Sequence, residues 1–61
     1  MYTLYIYKVI REYADGTQGK RARTLRRYEP DLAVGGVYVH LGPGCPELQR
    51  VLSMTTEEIS D

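Results

Sequence analysis

The 61-residue chain has no Phe and no Trp, a single Cys, a single His and no net charge. One Cys cannot form an internal disulfide, and one Cys with one His is too few for a structural zinc site. The length excludes a two-domain enzyme with a cleft between lobes and predicts one small domain over residues 1–61. No apolar run approaches the roughly 20 residues of a membrane-spanning helix. The apolar stretch 2–10 is interrupted by Lys8 and has neither a basic lead-in nor a small-residue cleavage site, so no signal peptide is expected. A lone thiol fits a reducing compartment, and a cytoplasmic location is the expectation.

Leu, Ile and Val make up 14 of the 61 residues, enough to argue against wholesale disorder. A core this small usually needs a disulfide, a metal or a partner subunit. With the first two excluded, a homodimer or higher homo-oligomer is expected.

Zero net charge conceals a polarity along the chain. Residues 1–28 carry seven bases against two acids, a balance of +5, and residues 29–61 carry one base against six acids, a balance of −5. Such asymmetry points to a basic binding surface, an acidic tail or head-to-tail association. Mutual neutralisation of the two halves within one fold is the competing explanation.

The elements read as strands. Residues 2–13 are rich in Tyr and β-branched side chains and predict a long strand. Asp15-Gly16 suits a two-residue type I′ turn, after which 17–28 return as a basic strand ended by Glu29-Pro30-Asp31. A third strand is expected over about 32–41, with Gly35-Gly36 as a bulge or bend, and 42–46 as a loop. Residues 47–54 fit helical or strand spacing, and a fourth strand at about 48–54 is preferred. Thr55-Thr56-Glu57-Glu58 resembles a capping box and suggests a short helical turn. The fold class is therefore mainly β: a small, four-stranded, antiparallel curved sheet with at most a short C-terminal helical turn, or alternatively an SH3-like small barrel.

A two-residue turn at Asp15-Gly16 pairs Tyr5 with Arg26, Tyr7 with Thr24 and Val9 with Ala22. One face then presents Tyr5, Tyr7, Val9 and Tyr13, and the other Leu4, Ile6, Ile10 and Leu25 among arginines. Both faces are partly apolar, which invites a second copy unless long Arg stems cover the aliphatic side. The same register opposes Arg11 to Lys20 and Lys8 to Arg23. Opposed like charges destabilise a sheet, and an anion would relieve them.

The bases Lys8, Arg11, Lys20, Arg21, Arg23, Arg26 and Arg27, beside a Tyr-rich strand, form a candidate surface for DNA or another polyanion. A solvated edge strand protected by its charges is the plainer explanation. Asp15, near these bases, is a candidate catalytic carboxylate that would hold a divalent cation such as Mg2+ with its symmetry mate. Asp before Gly is also what a type I′ turn prefers. His40 and Cys45 lie five apart without a third orienting group, and read as a strand residue and a loop thiol.

Four strands with a basic, Tyr-bearing hairpin resemble a reduced ββββα unit of the transcriptional positive-cofactor type, a dimeric single-strand DNA-binding fold. The segment Tyr-Lys-Val-Ile-Arg-Glu-Tyr-Ala-Asp-Gly-Thr is similar in style to accessory proteins of clostridial phages and mobile elements. These include a small anti-CRISPR family that oligomerises and nicks supercoiled DNA. The resemblance implies a DNA-binding, counter-defence role, with Asp15 as the position to suspect in nicking. Gly36-Val37-Tyr38-Val39-His40 through Arg50-Val51-Leu52 is similar to a G-x-Y-x-H…V pattern of small SH3-like bacterial domains. The alternative from another class is an inert adaptor or inhibitor that docks its basic hairpin on an acidic partner.

Overall fold

A computed structural model describes residues 1–41 and 46–60. Four strands form: β1 (Tyr2–Glu12), β2 (Arg23–Arg27), β3 (Val37–His40) and β4 (Glu47–Ile59). They make one sheet in the order β2-β1-β4-β3, with every pairing antiparallel. This is the expected small four-stranded curved sheet. The two long strands, one from each end of the chain, occupy the centre, and the short β2 and β3 form the margins. The margins are not paired with each other, so the sheet is an open half-barrel rather than a closed one.

The curl has a local cause. Lys8 pairs with Ser53 and the next residue, Val9, pairs with Val51, leaving Leu52 unopposed. Such a bulge bends its strand and sharpens the twist. On the inner face, Tyr7, Val9 and Val51 are buried, with Tyr5, Leu25, Leu32 and Tyr38 packed around them. Leu32, in the β2–β3 connection, supplies a contact that no strand of the sheet could make with its own face. The period-two alternation of β1 sends Leu4, Ile6 and Ile10 to the outer face.

Several expectations need correction. The hairpin loop has three residues, not two: the Tyr13 N–H donates to Thr17 O (2.8 Å) and the Gly16 N–H to Tyr13 O (3.0 Å). Gly16 has φ +88°, and among the described residues no non-glycine residue has positive φ. A type I′ turn needs positive φ at both central residues, so the loop is instead of the kind that ends in a left-handed glycine.

Pairing then slips. Glu12 bridges Gln18, yet Val9 pairs with Arg23, so three steps along β1 match five along the return chain. Residues 20–22 leave the ladder, and the second strand shrinks from 17–28 to Arg23–Arg27. In the observed register Tyr5 faces Arg27, Tyr7 faces Leu25 and Lys8 faces Thr24. A one-residue slip moves every side chain to the other face. Leu25 therefore joins the core, and neither predicted opposition of like charges exists.

The third strand begins at Val37 rather than 32. Gly35 (φ +86°) and Gly36 form a turn before it, closed by Gly36 N–H to Ala33 O at 3.0 Å. This turn is anchored to β4 by Gly35 N–H to Val51 O and Val51 N–H to Gly36 O. The fourth strand continues to Ile59, so the capping-box residues 55–58 are extended. Pairing of Tyr2 through Lys8 with Ile59 through Ser53 supplies hydrogen bonds that an isolated helical turn lacks. Most of the expected 42–46 loop, with Cys45, lies outside the described residues.

Candidate nucleic-acid interface

The seven predicted basic residues do not form one continuous stripe. Lys8, on β1, points to the outer face and donates from Nζ to the Thr24 hydroxyl at 3.0 Å. Arg26, opposite Ile6, shares that outer face and is exposed. Lys20 and Arg21 lie exposed in the segment that leaves the ladder. Arg23, opposite Val9, turns to the inner face.

Arg11 and Arg27 are already committed. Arg11 pairs with Glu47 at 3.4 Å and lies 4.9 Å from the centre of the Tyr13 ring. Arg27 makes a two-pronged pair with Asp31, donating from Nε at 2.6 Å and from Nη2 at 2.5 Å. This geometry raises the guanidinium pKa of Arg27 and holds Asp31 below its usual value. Outside the predicted set, Arg50 grips both oxygens of Glu12. The pairing lowers the Glu12 pKa, with the hydrogen bonds from Arg50 as the largest cause.

A simple division results. Of the eight bases in the chain, Arg11, Arg27 and Arg50 pair with carboxylates. Lys8, Lys20, Arg21, Arg23 and Arg26 have no carboxylate partner among the described residues, and all five belong to the β1–β2 ribbon. The outer backbone edge of β2 is also unpaired within the sheet.

Asp15 is engaged within its own turn. One carboxylate oxygen accepts from the Thr17 amide (2.9 Å) and the Thr17 hydroxyl (2.6 Å). The hydroxyl bond is the largest cause of its lowered pKa. This arrangement accounts for an Asp before the left-handed glycine. Among the described residues, no three His, Cys, Asp or Glu side chains gather closely enough to hold a metal ion.

Two residues that sequence reasoning left out of the site stand beside it. The curl brings Tyr38 and His40 of β3 across from Arg23, Thr24 and Leu25 of β2, around a crevice of about 50 Å³ floored by Val9. A larger depression of about 470 Å³ continues from it, bounded by Leu25, Arg27, Leu32 and Leu41. Burial raises the Tyr38 pKa, while the charges of Arg23 and Arg27 oppose that rise. The alternation of β3 puts Tyr38 and His40 on one face, but their placement opposite β2 depends on the curl.

The six tyrosines divide by environment. Tyr7 is fully buried, and Tyr5 and Tyr38 pack against the core. Tyr13 lies under Arg11, and Tyr2 meets Tyr28 edge to face at 5.5 Å. Tyr28 stays 70% exposed and borders a depression of about 330 Å³ with Arg26, Arg27 and Glu29.

Comparisons with protein-family models, with curated proteins and with solved structures found no match. Among the described residues, no helix is long and apolar enough to cross a membrane.

Proposed function

We propose that the chain binds a nucleic acid through its β1–β2 ribbon, with Lys8, Lys20, Arg21, Arg23 and Arg26 neutralising phosphates. The observation that carries this reading is the division of the bases. Three are neutralised by carboxylates, and all those left over lie on one ribbon beside an open edge strand. Unneutralised cations on a low-dielectric sheet attract a polyanion and release its counterions on binding. Tyr28, exposed next to Arg26, offers a ring on which a base can stack, which favours a single strand. The cytoplasm, where a lone thiol stays reduced, is the compartment this reading assigns.

The function is one of binding, and Asp15 is left to its turn. The test is anisotropy of a dye-labelled single-stranded DNA titrated with protein, alongside plasmid relaxation with magnesium. Binding should fall sharply in the Arg23→Ala/Arg26→Ala double variant. Undiminished binding by that variant refutes the proposal. Relaxation of plasmid by the wild type but not by Asp15→Ala would add strand nicking, the counter-defence activity implied by the resemblance. Absence of any DNA binding would leave an acidic protein surface as the partner of the ribbon.

A further inference from the structure

We infer that the outer face of the sheet at the β3 end is the interface of a homodimer. Six residues tile it in two rows: Val37, Arg50 and Ile10 in one, Val39, Leu48 and Glu12 in the next. Paired residues share a face, so all six point outward together. Val37, Val39 and Leu48 are 43%, 54% and 41% exposed. β3 thus turns its valines away from the core and its Tyr38 and His40 towards it, the reverse of what hydrophobicity alone would favour. A covered outer face removes the contradiction.

The dimensions call for a partner. The radius of gyration is 12.7 Å, against about 10.5 Å for a compact domain of this length. The accessible surface is 4632 Å², roughly 600 Å² more than the ~4,000 Å² of a compact monomer of this mass. Among the described residues, only Tyr7, Val9 and Val51 form the buried hydrophobic core. The molecule measures 42 × 23 Å along its longer axes, so the β3 half of one face offers roughly 480 Å², the size of a weak, concentration-dependent dimer rather than the ~800 Å² per partner of a standard interface.

The electrostatics select a second copy. The charged groups within the patch, Glu12 and Arg50, neutralise each other, and Arg50 is held further by donating from Nη1 to Gly35 O at 2.8 Å. A patch with no net charge meets its own image without repulsion, whereas a charged partner gains nothing from it. The inference is independent of nucleic-acid binding, because none of these six residues is among the five cations assigned to phosphates.

The experiment is light scattering after size exclusion on the full chain at about 100 μM, well above the micromolar range of weak dimers. The expected mass is twice the 7.0 kDa of the chain. Val39→Lys places two lysines against apolar surface and should raise the dimer dissociation constant at least tenfold. Val34→Lys, equally exposed but in the turn before β3, should leave the mass unchanged. A wild-type mass of 7.0 kDa, or the same mass shift from both variants, overturns the inference. So does a Val39→Lys dimer as tight as the wild type. If Val39→Lys does not fold, the thermal midpoint of the wild type decides: it must rise with protein concentration, as mass action requires for a dimer, and a constant midpoint overturns the inference.

Discussion

The number of unneutralised cations sets how steeply salt should weaken nucleic-acid binding. Each phosphate contact to a single strand contributes about −0.7 to the slope of log K against log salt. Five contacts from Lys8, Lys20, Arg21, Arg23 and Arg26 give a slope of about −3.5. Raising monovalent salt from about 50 to about 200 mM should then weaken binding by roughly 130-fold. The Arg23→Ala/Arg26→Ala variant keeps three contacts, for a slope of about −2.1 and a loss of roughly 18-fold over the same range. The ratio of the two slopes, about five to three, is unaffected by how many chains share one strand. Arg11→Ala/Arg27→Ala removes two charges as well, but those already committed to Glu47 and Asp31, and should leave the slope near that of the wild type. Fluorescence anisotropy of labelled oligo-dT of about 15 nucleotides, near the upper end of typical site sizes, measures all three slopes. Equal slopes for the two double variants would refute the reasoning, because the division between paired and unpaired bases would then have no consequence.

Other consequences concern stability. The Tyr7 side chain is fully buried and its hydroxyl has no hydrogen-bond partner among the described residues. Tyr7→Phe should therefore stabilise the fold by about 1–3 kcal/mol, the cost of an unsatisfied buried hydroxyl, and a lowered thermal midpoint would contradict this. Glu12, Asp15 and Asp31 are all held below their ordinary values of 4.5, 3.8 and 3.8. Their contributions are complete above those values and are lost as pH falls through the lower folded-state values. Urea melts from pH 6 down to pH 2 should show this decline, with a shallower one in Glu12→Gln. Gly16 sits at φ +88° with open space where a Cβ would go. Gly16→Ala should cost about 1–2 kcal/mol through backbone strain alone, as read in denaturant unfolding.

Much of the fold was legible because it is written locally. The Tyr and β-branched residues of 2–12 specify a strand, and their alternation separates Tyr5, Tyr7 and Val9 from Leu4, Ile6 and Ile10. The concentration of bases on the first hairpin was visible as arithmetic. The hairpin register was not, because Asp15-Gly16 serves both two- and three-residue loops and the slip between Gln18 and Arg23 leaves no mark in composition. Residues 47–54 were ambiguous, and 55–58 suggested a helical turn, for a related reason. Their extended form depends on β1, more than 35 residues away in sequence, which supplies the pairing partners from Tyr2 to Glu12.

Sequence by itself determined that this chain is a small antiparallel β protein with a cationic hairpin and too little apolar material for a large core. Period-two patterning and net charge are properties of neighbouring residues, and they survive any arrangement of the strands. Tertiary structure decided which face of each strand turns inward and which bases remain without a carboxylate. Arg11 meets Glu47 and Arg50 meets Glu12 across 36 and 38 residues of chain. Alternation says which side chains share a face; only the pairing of distant strands says what that face meets.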